Sequence, residues 1–82
     1  MSRPAIVWAQ VENYFSRRGY TIKFRGGERI IVAPKKSDAR RTRNQVVIGH
    51  KCCDSPRAIV YDCYLNNIKN AFGVTRNDIL ND

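Results

Sequence analysis

Two short stretches hold the side chains best suited to acid–base chemistry. The first is "FRGGERIIV" at 24–32, where Glu28 sits between Arg25 and Arg29 just after the Gly26-Gly27 pair. The second is "VIGHKCC" at 47–53, where His50, the single histidine of the chain, precedes Lys51 and two adjacent cysteines. Acid–base chemistry needs a group able to take a proton near neutrality and another that stabilises developing negative charge. An imidazole meets the first need, and arginines can hold an anion. A carboxylate of ordinary pKa, about 4.3, is a weak base under the same conditions. Glu28 and His50 are thus the two candidate catalytic positions. A grip on an anionic ligand and a plain tight turn are the competing readings of the hairpin tip.

Other site chemistry finds little support. His50 with Cys52, Cys53 and Cys63 lacks the C-x2-C or H-x3-H spacing that closes paired ligands on zinc, so no metal site is expected. The odd cysteine count, with two neighbours, does not resemble the framework of a small secreted domain and points to free thiols in a reducing compartment. There is no P-loop and no dinucleotide fingerprint, and a single histidine gives a Ser-His-Asp triad little footing; no cofactor is expected.

The elements that must position Glu28 and His50 follow from periodicity. Val7, Trp8, Val11, Tyr14 and Phe15 form one helical stripe, with Pro4 suited to a first turn and Gly19 to the residue past the end, which predicts a helix over 4–18. Tyr20, Ile22 and Phe24 alternate with Thr21, Lys23 and Arg25, giving a strand with one apolar and one basic face. "ERIIVAP" is its hairpin partner, and "QVVIGH" at 45–50 reads as a third strand ended by His50. "DSPRAIVYDCYLNNIKNAFG" supplies a second helix, capped by Asp54 or Ser55, with Tyr61, Tyr64, Leu65, Ile68 and Phe72 as its buried stripe and Gly73 as its end. Its start is open: Ile59 and Val60 can remain extended, with Asp62 as the cap. Thr75 to Asp78 has capping-box spacing and opens a last short turn. The expected fold is α+β, αβββα: one domain over 1–82, a three-stranded antiparallel sheet with both helices on one face.

Composition narrows the ligand. Fifteen Lys and Arg against seven Asp and Glu give a net charge of +8, a surface that attracts polyanions, of which nucleic acid is the commonest. The hydrophobic fraction of 43% argues for a folded core rather than a basic tail. No stretch approaches a membrane span, and Glu12 interrupts any signal-type apolar run, so a cytoplasmic protein is expected. Lys23, Arg25 and Arg29 around the hairpin, with Lys35, Lys36, Arg40, Arg41 and Arg43 in the loop before the third strand, are the expected nucleic-acid contacts. The tyrosines lie on apolar stripes, where core packing takes precedence over base stacking.

A helix ending in Gly19-Tyr20, the run "RRGYTIKF", a glycine hairpin, a third strand and a helix closing "IKNAFGVTRNDIL" together resemble the HicA-type toxins. These are small messenger-RNA-cleaving proteins with a double-stranded-RNA-binding-domain-like fold. The resemblance spans most of the chain, and Ile68, Gly73, Val74, Thr75 and Asp78 match the pattern that closes the family's last helix. It implies RNA as ligand, endoribonuclease activity and an antitoxin partner. The family's hairpin reads glycine, serine, histidine, and that histidine is catalytic; the same positions here are Gly26, Gly27 and Glu28. The catalytic histidine does not carry over, and "SPRAIVYDCYL" replaces the family's usual lead-in to the last helix. The resemblance therefore implies an RNA-binding domain, either an inactive relative or an atypical messenger-RNA interferase whose base lies elsewhere. The alternatives are an interaction module whose basic face docks an acidic, antitoxin-like protein, and a small DNA-binding regulator.

Overall fold

The computed structural model describes residues 5–34 and 44–82. Along the chain these are α1 (Trp8–Arg17), β1 (Thr21–Arg25), β2 (Glu28–Val32), β3 (Gln45–Ile48), a 3-10 turn (His50–Cys52), α2 (Asp62–Phe72) and α3 (Arg76–Leu80). The strands pair antiparallel in the order β1-β2-β3, so the expected α+β layout is the one found. Lys35, Lys36, Arg40, Arg41 and Arg43 lie outside the described residues, as does Pro4.

Strand alternation assigns the two faces. Ile31, Val46 and Ile48 are buried, and they pack with Trp8, Val11 and Phe15 of α1 and with Leu65 and Ile68 of α2. Both long helices thus cover one face of the sheet. Phe15, Tyr14, Tyr20 and Phe72 meet edge to face, with centroids 4.7 to 5.6 Å apart, and tie the end of α1 to the end of α2. The opposite face carries Thr21, Lys23 and Arg25 from β1, Glu28, Ile30 and Val32 from β2, and Val47 from β3.

Two boundaries differ from the sequence reading, and the start of α2 falls on the alternative left open there, with Ile59 and Val60 extended. α1 begins at Trp8 rather than residue 4, because Val7 is extended and bridges to Ile59 in an isolated antiparallel contact. The same bridge holds Ile59 and Val60 out of α2, which starts at Asp62 with Tyr61 in the extended cap position; Tyr61 is 53% exposed and does not join the buried stripe. β3 stops at Ile48, so His50 opens the 3-10 turn instead of ending the strand. The helix ends follow the local chemistry: Gly73 takes a left-handed φ of 73° at the end of α2. Thr75 Oγ1 accepts from the Asp78 amide at 3.2 Å while Asp78 accepts from the Thr75 amide at 2.9 Å. Arg17 and Arg18 both pair with Asp82, at 3.2 and 2.9 Å, which ties the last residue to the end of α1. No helix among the described residues is long and apolar enough to cross a membrane.

Candidate nucleic-acid interface at the hairpin end

The turn between β1 and β2 is only two residues long, with Arg25 directly opposite Glu28. Gly26 has φ 59°, a left-handed conformation that a side chain would strain, so the first glycine serves the turn. Gly27 has another role. A Cβ built there would lie 2.8 Å from His50 Cγ and 3.0 Å from Cε1 and would overlap Nδ1. The imidazole of the 3-10 turn is seated directly on the hairpin tip.

Its seat also orients it. His50 Nδ1 is 3.3 Å from the Gly27 carbonyl oxygen, which only accepts, so this bond requires the hydrogen on Nδ1. Nε2 then keeps its lone pair in the neutral ring, and the side chain is exposed. The Gly27 carbonyl also lies 3.5 Å from the Cys53 sulfur. Cys53 is buried, with the carbonyls of Gly49 at 3.3 Å and Ile48 at 3.6 Å as further acceptors. Burial pushes its thiol pKa up, opposed by the Arg29 charge and the Arg29 main-chain amide. A thiol held neutral among carbonyls is a donor that fastens the turn, not a nucleophile. Gly49 is a close approach of the same kind, its Cα packed against the Tyr64 ring, 3.1 Å from Cζ for an added Cβ.

The charged residues divide between the two faces of the hairpin. Glu28 pairs with Arg25 at 3.3 Å on the face away from the helices, an exposed contact worth about 0–1 kcal/mol. Arg29 belongs to the helix-side face, opposite Phe24 and Ile48 in register. Its guanidinium lies 4.1 Å from the Phe24 ring centroid, and Nη1 donates to the Glu28 carbonyl at 3.2 Å. Phe24, placed by alternation on the apolar face, is 71% exposed and so lies beyond the core.

Of the predicted site residues, Arg25, Glu28, Arg29 and His50 gather at this end of the sheet, and Lys23 stands two residues back along β1. Glu28 is engaged with Arg25, not with His50. The sequence reading missed three participants: Gly27 as a seat, Cys53 as a fastener and Phe24 as a surface ring. One signal for Phe24 was present, because Arg29 occupies the helix-side phase of "ERIIVA" and marks where the core stops. Among the described residues no group of three or more His, Cys, Asp or Glu side chains is gathered as a metal site. No protein-family model, curated protein or solved structure matches the chain.

Proposed function

We propose that this chain is a small RNA-binding domain of the kind the HicA-like pattern implies, gripping the phosphate backbone with the hairpin end and the outer face of β1. The observation that carries this reading is the gathering of Lys23, Arg25, Arg29 and an exposed imidazole at one end of a chain with net charge +8. The carboxylate within this group, Glu28, pairs with Arg25. Phosphate contacts of this type position RNA without reading its sequence. Anisotropy titrations of labelled RNA across salt concentrations test the proposal. Replacing Lys23, Arg25 and Arg29 together by Ala should flatten the slope of log K against log salt by about 0.7–0.9 for each phosphate that is no longer neutralised. An unchanged slope would send the basic face to an acidic protein partner instead.

A second reading, cleavage, draws on the orientation of His50. With Nδ1 bonded to Gly27, Nε2 is free to take the proton of a 2′-hydroxyl as its oxygen attacks phosphorus, while the 5′-oxygen leaves and is protonated by water. Arginines remain protonated and stabilise the phosphorane charge rather than supply that proton. The products would be a 2′,3′-cyclic phosphate and a 5′-hydroxyl end. Cleavage should vanish in His50→Ala and on a 2′-deoxy substrate, and Glu28→Ala should change it little. If RNA is bound but never cut, Glu28→His tests for a decayed site by restoring an imidazole at the tip.

A further inference from the structure

Among the described residues, Phe24 is the most exposed large apolar side chain, at 71% against 53% for Ile59 and Tyr61. It stands on β1, an edge strand, between Lys23 and Arg25. Ile59 and Tyr61 line a different groove with Ala5, Ile6 and Asp62, so Phe24 is not part of one broad apolar patch. A lone exposed ring offers too little area for a protein interface of ordinary size. It does match the face of one nucleobase.

The ring is also prepared on one side. Arg29 stacks on it at 4.1 Å and is itself steadied by the hydrogen bond to the Glu28 carbonyl, so ring and guanidinium are arranged before any ligand arrives. Arginine planes and aromatic rings are the two surfaces on which unstacked bases settle in RNA recognition. Lys23 and Arg25 flank Phe24 in sequence but stand on the opposite face of β1, so the cation on the platform's own face is Arg29.

We propose that Phe24 and Arg29 form a platform for one unpaired nucleobase, so that the domain selects single-stranded or bulged RNA over a continuous duplex. This rests on the RNA-binding reading above and sharpens its substrate class. Inside an A-form helix both faces of each base are covered by neighbours, and the platform has nothing to engage.

The test compares a 12-nucleotide poly(A) strand, a poly(U) strand and a blunt 12-base-pair duplex, each labelled, against the unaltered protein, Phe24→Ala, Phe24→Leu and Phe24→Trp. Phe24→Ala should weaken single-strand binding roughly tenfold and leave duplex binding within about twofold. Phe24→Leu keeps apolar bulk without a ring face and should fail to restore affinity, whereas Phe24→Trp should restore it. The new indole should also be quenched on binding, a signal separable from that of the native Trp8, which is buried. Phe24 is outside the core, so all three variants should melt close to the parent. Salt-sensitive binding of both RNAs that Phe24→Ala leaves intact would overturn the platform alone. No binding to any RNA would overturn the RNA-binding reading with it. Full rescue by Leu would show that apolar bulk rather than a ring face serves the contact and would likewise refute base stacking.

Discussion

Replacing Gly27 by Ala tests the seat of His50 without touching a charge. The backbone admits the change, since Gly27 is not among the glycines with positive φ. The added Cβ would drive into the imidazole, 2.8 Å from Cγ, so the ring must swing away and surrender its bond to the Gly27 carbonyl. A net hydrogen bond contributes about 0.5–1.5 kcal/mol, and an exposed one belongs at the lower end of that range. Against this, Gly→Ala at a compatible site reduces the entropy of the unfolded chain and stabilises by about 0.4–1 kcal/mol. The two terms nearly cancel, so the single variant should show little net change in stability. In a His50→Ala background no ring is left to displace, and the same substitution should stabilise by about 0.4–1 kcal/mol. The difference is a coupling energy of about 0.5–1 kcal/mol, read from urea denaturation of the four proteins of the cycle. Nitrogen chemical shifts of His50 should show the hydrogen on Nδ1 in the parent and lose that preference in Gly27→Ala. Additive stabilities within about 0.3 kcal/mol, with unaltered imidazole signals, would refute the seat and the oriented Nε2 with it.

The remaining expectations concern the frame around the site. Iodoacetamide should modify Cys63 alone in the folded protein and all three cysteines after denaturation, because Cys52 and Cys53 are buried and Cys63 is exposed; mass spectrometry counts the adducts. Burial raises the Cys53 thiol pKa, so its contribution to stability is complete below the unfolded thiol value, about 8.5, and is lost as pH climbs through the higher folded value. Thermal melts from pH 8 to 10 should therefore fall less steeply in Cys53→Ala than in the parent, while Tyr14, raised by burial from an ordinary value of 10.0, keeps its contribution through this range and loses it only above it. Thr75→Ala removes the cap of α3 and should cost about 1 kcal/mol, lowering Tm by about 4–8 °C, a loss that calorimetry resolves.

The parts of the fold that were legible in the sequence are those set by local rules. Alternation along "YTIKFR" and "ERIIV" gave the hairpin, and its glycines gave the turn. Gly73 and the Thr75–Asp78 box gave the helix ends, since caps are decided within a few residues. The starts of α1 and α2 were less legible because a single non-local contact, Val7 with Ile59, determines both. Periodicity extends a helix as far as its apolar stripe runs, and cannot see that two such residues pair with each other in extended form. Phe24 and Tyr61 illustrate the same limit in another way. Each keeps the phase of a buried stripe but lies past the area its partner element covers, and coverage is a tertiary quantity.

The candidate site shows why residue type was more legible than role. Glu28 and His50 were both found as bearers of chemistry, yet their relation turns on Gly27, a residue with no side chain to read. The glycine leaves open the space that the imidazole fills, and its carbonyl fixes which ring nitrogen holds the hydrogen. That arrangement needs β3 to end at Ile48, so that the 3-10 turn can bring residue 50 back across β2 to residue 27, and it needs Cys53 to fasten that turn to the same carbonyl. Glu28, by alternation and by its pairing with Arg25, faces the other way. The hairpin tip thus presents Arg25 paired with Glu28 on one face and Arg29 stacked on Phe24 on the other, with the oriented imidazole seated on Gly27. The proposed RNA contact relies on Arg29, which no carboxylate among the described residues pairs, and on the imidazole more than on Arg25, so variants of those two residues are the ones to read first.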